Sequence, residues 1–134
     1  MMTMFRSLAR RAFLGAFFGA SLAILVPAQP ACAHDPKPRH CGAVVIAGTY
    51  HVELVVKDGQ VDVYLMGHDD KPLAVTGRKG VAILMAGGKS VRIPLEPVGS
   101  ARLSGKAADA HPTAPKGVVQ ITEPAGGTVQ ARFN

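Results

Sequence analysis

Tryptophan is absent from this sequence, cysteine occurs twice, and beyond residue 33 the aromatic residues are Tyr50, Tyr64 and Phe133 alone. So few large rings leave little with which to line a deep substrate pocket. The motifs of hydrolytic and nucleotide chemistry are missing too: there is no GxSxG, no phosphate-binding P-loop, no HExxH and no CxxC. These absences argue against an enzyme. No apolar run reaches the ~20 residues that cross a bilayer; the stretch from Ala12 to Val26 has 15. Positive charge is not concentrated either. Lys and Arg outnumber Asp and Glu by 15 to 9, but the basic residues beyond the N-terminal segment stand singly and without interleaved aromatics, which makes nucleic acid a poor partner.

The N-terminal segment is where the chain becomes specific. Arg10-Arg11-Ala12-Phe13-Leu14, the apolar run that follows, and Ala31-Cys32-Ala33 directly before His34 are the parts of a cleavable export signal helix over residues 1–33. The paired arginines resemble a twin-arginine signal, with a Sec signal as the alternative. Export to the periplasm is expected, with no membrane span after cleavage. Removal of Arg6, Arg10 and Arg11 leaves 12 basic residues against 9 acidic. Removal of Cys32 leaves Cys41 alone, so no intramolecular disulfide is available. His34 becomes the N-terminal residue, whose amine and imidazole together chelate metal.

Residues 34–42 begin HDPKPRH, with two prolines and no apolar residue, which predicts a flexible arm able to reach but not to pack. Residues 43–134 then read as one domain of short β segments between Gly, Pro and Asp turns: 44–47, 50–56, 61–66, 73–75, 81–86, 90–95, 101–103, 118–122 and 128–133. No helical periodicity appears. The expected fold is all-β, an antiparallel sandwich or barrel of about seven strands, immunoglobulin-like or cupredoxin-like.

One hairpin can be registered directly, because Asp58-Gly59 is the strongest two-residue turn signal. Counting outward pairs Val56 with Val61, Leu54 with Val63, Glu53 with Tyr64, Val52 with Leu65 and His51 with Met66. Val52, Leu54, Val56, Val61, Val63 and Leu65 then face the core. His51, Glu53, Tyr64 and Met66 face outward, joined by His68 if the strand runs on through Gly67.

Five histidines, and beyond residue 33 two methionines and one cysteine, are ligand types suited to copper, the histidines also to zinc. Three sites can be assembled. His51, Met66 and His68 converge across the hairpin, with Glu53 or Asp69 beside them. The His34 terminus forms a Cu(II) chelate if cleavage follows Ala33. His40-Cys41 is a soft pair for Cu(I) or Zn(II), and the arm is free to close over the hairpin patch. His111, before Pro112, is read as a solvated loop residue.

The stretches YHVELVVKDG (50–59) and VYLMGHDDKP (63–72), with the closing Val129–Phe133, resemble a group of small exported bacterial proteins and the periplasmic parts of heavy-metal efflux adaptor systems. His51, His68 and Asp69 match the resembled pattern. Met66 stands where an aliphatic residue is common, and His40-Cys41-Gly42 where the entry is His-Gly-Gly. A looser likeness, in size, export and first residue, is to small periplasmic copper-carrying β-sandwich proteins. The resemblance implies a periplasmic metal-homeostasis domain, for copper with zinc as the alternative ion, that holds the ion or delivers it to an efflux or delivery partner. The competing expectation is a structural or protein-interaction β domain of the cell envelope.

Overall fold

Alternating hydrophobicity and left-handed turn residues build antiparallel hairpins, which pairings between strands distant in sequence join into one sheet. The computed structural model describes residues 36–108 and 112–134; the export signal, His34 and His111 lie outside these. Nine strands are described, where about seven were expected: β1 (Ala43–Ala47), β2 (Tyr50–Lys57), β3 (Gln60–Met66), β4 (Pro72–Leu73), β5 (Lys79–Ala86), β6 (Lys89–Val98), β7 (Arg102–Lys106), β8 (Gly117–Thr122) and β9 (Thr128–Phe133). All pairings are antiparallel, in the order β1-β2-β3-β7-β6-β5-β8-β9, with β4 added alongside β3. The result is a nearly closed, barrel-like sheet. Among the described residues no helix is long and apolar enough to cross a membrane.

Closure depends on β6. Its first part pairs with β5 as far as Leu95, and its last three residues, Glu96–Val98, pair with β7. Pro94 and Pro97 stand at this change of partner, and neither can donate to a ladder. The interior is filled from all sides: Val52, Leu54, Val63 and Leu65 from β2 and β3 meet Leu84, Ile93, Leu95, Leu103, Val119, Ile121 and Phe133, all buried. At the open seam β1 and β9 are the end strands of the sheet. Near it the Tyr50 hydroxyl donates to Glu123 at 2.6 Å, and Arg78 Nε donates to the other Glu123 oxygen at 2.9 Å.

The β2–β3 hairpin has the register read from the sequence, from Lys57 opposite Gln60 to His51 opposite Met66. Asp58 and Gly59 both take positive φ, 51° and 77°, the pair of left-handed residues that a type I′ turn requires. The inward face is as expected, with Val56 partly buried at the turn end.

The outward face differs from expectation. Tyr50 to Leu54 are buried at five successive positions, so both faces of β2 are covered. One face lies on the core; the other lies under the N-terminal arm and the turn after β3. Residues 39–42 are thus packed against the sheet instead of being free.

Candidate functional site

Glu53 organises the covered face. Its side chain is 0% exposed, a location in which an ionised carboxylate must be fully hydrogen-bonded. The arm supplies the donors: the amides of Arg39 at 3.0 Å, His40 at 2.7 Å and Gly42 at 3.0 Å, and His40 Nδ1 at 3.0 Å. Burial pushes the Glu53 carboxyl up, but the Gly42 amide, the His40 ring and the other two amides outweigh it and hold the group below its ordinary 4.5. The His40 ring also stacks on Tyr64, with centroids 3.6 Å apart and planes 7° from parallel.

Two backbone features bring the arm this close. Cys41 adopts φ 62°, which turns the chain so that amides on either side of it point at one carboxylate. Gly42 has no room for a side chain: a Cβ there would lie 2.5 Å from the Leu54 carbonyl oxygen and 2.9 Å from Glu53 Cγ. Cys41 itself is exposed. The His40-Cys41 pair therefore has its imidazole committed to Glu53 and Tyr64, and its thiol facing solvent.

The histidine patch lies one register step further along the hairpin. His51 and Met66 are directly opposed, on the same face, and both are buried, at 4% and 2% exposure. Met66 is outside the main hydrophobic core and so belongs to this second layer. β3 ends at Met66, so His68 does not arrive by continuation of the strand. It arrives by a turn closed by Gly67 N–H to Lys71 O at 2.9 Å and Asp70 N–H to Gly67 O at 3.0 Å. That turn returns the His68 ring over His51, edge to face, with centroids 5.2 Å apart. His51, Met66 and His68 are thus brought together, His68 being the solvent-exposed member.

Of the two carboxylates in the turn, the one named in the sequence reading faces away. Asp69 accepts from the Lys71 amide at 3.2 Å and lies 3.5 Å from Lys71 Nζ. The Lys71 amide, against slight desolvation and aided by the ammonium charge, holds its carboxyl below the usual aspartate range. Asp70, at φ 59°, instead points Oδ1 toward His51 Nδ1 at 3.6 Å. His51 Nδ1 is buried and has no hydrogen-bond partner.

Among the described residues no group of three or more His, Cys, Asp or Glu is placed to hold a metal ion. The donors at this point are two imidazoles and a thioether, which suit Cu(I) better than the four N, S or O ligands of a closed zinc site. A cleft of about 550 Å³, formed by residues 56–59 with Pro112 and Thr113, opens at the opposite end of the hairpin from His51.

Sequence reasoning missed two roles. Glu53 is expected from the sequence on the outward face beside the histidine patch, but its carboxylate is taken up by the arm, and its alternation with Val52 and Leu54 gives no sign of a cover 11 to 14 residues upstream. Asp70 was passed over because adjacent aspartates in a turn give no periodicity by which to choose between them. Comparison of the chain with protein-family models, with curated proteins and with solved structures finds no match in any of the three.

Proposed function

We propose that this chain is an exported metal-binding protein that holds Cu(I) as cargo at His51, His68 and Met66 and passes it to an envelope efflux or delivery partner. The observation that carries this reading is the His68 ring set edge to face on His51, whose cross-strand partner is the buried Met66, in a layer separate from the hydrophobic core. The export-type N-terminal segment and the resemblance of the hairpin to metal-efflux adaptors support the same reading. An exposed His68 over a buried His51 suits hand-over, because the outer ligand can exchange while the inner one stays fixed.

The test is anaerobic Cu(I) titration of the full chain against a competing chelator. One equivalent bound at micromolar affinity or tighter, about −8 kcal/mol, is expected. His68→Ala weakens binding with little effect on folding, since that ring is exposed, and the His51→Ala/His68→Ala double variant abolishes it. Unchanged stoichiometry and affinity in the double variant would contradict the site.

A further inference from the structure

His51 presents an unusual combination: a ring that is 4% exposed, whose Nδ1 has no hydrogen-bond partner, facing a carboxylate just beyond hydrogen-bond distance. A buried polar atom without a partner is costly, and few are retained without a reason. Among the described residues, the acidic oxygen set against it is Asp70 Oδ1 at 3.6 Å. Asp70 is held there by its left-handed φ of 59° and by the Gly67–Lys71 turn that also carries His68. The same five-residue turn therefore delivers a candidate ligand and a carboxylate aimed at the other candidate ligand.

We propose that Asp70 is a positioning residue that fixes the tautomer of His51. A carboxylate can only accept, so it selects the form with the proton on Nδ1 and leaves Nε2 with its lone pair for the ion. Ligating histidines commonly have this outer partner, which orients the ring and raises its basicity. Movement of a few tenths of an ångström in the turn closes the 3.6 Å gap to a hydrogen bond. Such a shift accompanies engagement of His68, because His68 and Asp70 move on one turn. Asp69, one residue closer to His68 but turned to Lys71, takes no part.

This inference rests on the metal reading, and two readouts separate their failures. The first needs no metal: nitrogen-15 NMR of the apo full chain, at a pH where the ring is neutral, reports which His51 nitrogen carries the proton. Nδ1–H is expected in the unaltered protein, and a shift toward Nε2–H in Asp70→Gly, a substitution that tolerates the positive φ and so preserves the turn. The second is Cu(I) affinity, expected to fall roughly 10- to 100-fold in Asp70→Gly and to stay unchanged in Asp69→Gly. Core amide shifts matching the unaltered protein establish that both variants are folded. A His51 ring protonated on Nε2 in the apo protein overturns the role of Asp70, as does a loss of affinity in Asp69→Gly without one in Asp70→Gly. The expected tautomer in a chain that binds no Cu(I) overturns the metal reading and leaves the Asp70–His51 pairing standing.

Discussion

Glu53 carries a charge where water does not reach, and its neutralisation by three amides and an imidazole is what ties residues 39–42 to the sheet. Hydrogen bonds to charged groups contribute about 1.5–3 kcal/mol each way, so Glu53→Gln is expected to cost about 2 kcal/mol in urea denaturation. It should also expose the Arg39–His40 bond to trypsin. The pH dependence has a definite sign. Because the folded carboxyl sits below its ordinary 4.5, the stability it supplies is intact above that value and is lost as pH falls through the lower folded one. Glu53→Gln removes that acid limb from the stability curve. Gly42→Ala tests the same anchor sterically: a methyl group against the Leu54 carbonyl is expected to lift the arm and cost about 1–3 kcal/mol. None of this was legible in HDPKPRHCG, whose composition describes a free arm; the carboxylate that captures it lies 11 to 14 residues further along the chain.

The β2–β3 hairpin is the element most fully readable in advance, since turn chemistry and a period of two fix its register together. Gly59→Ala, at φ 77°, should cost about 1 kcal/mol or more, measured as a lowered urea midpoint with the slope unchanged. What a period of two cannot show is whether the polar-looking face stays open. Here Val44, Glu53 and Tyr64 form one cross-strand row and Ile46, His51, Met66 and Pro72 the next. The first row is roofed by the arm and the second by the turn after β3. Both roofs are local irregular segments, for which hydrophobic patterning carries no signal. His51 is the register partner of Met66 and lies in ring contact with His68, while the carboxylate set against His51 is that of Asp70, and Asp69 bonds to Lys71.

At the scale of the molecule, the nearly closed sheet leaves β1 and β9 as end strands, with the Tyr50–Glu123–Arg78 cluster set near the seam. Burial, and then the Glu123 hydrogen bond and charge, push the Tyr50 phenol well above its ordinary 10, against a smaller pull from Arg78. The fold therefore favours the protonated phenol: its contribution is intact below that ordinary value and falls as pH rises beyond it. Tyr50→Phe should flatten this alkaline loss and cost about 1 kcal/mol at neutral pH, since Glu123 keeps Arg78. The antiparallel all-β class was within reach of turn spacing, but the strand order and the partner change along β6 were not, because they depend on contacts distant in sequence. The nearly closed scaffold is what keeps His51 paired with Met66 and in contact with an exposed His68, and the proposed site there is most directly tested by X-ray absorption of the full chain loaded with one equivalent of Cu(I). The account requires two imidazole nitrogens and one thioether sulfur around copper, lost together in the His51→Ala/His68→Ala variant. Copper bound through the Cys41 thiolate, with the same spectrum in that variant, would contradict it.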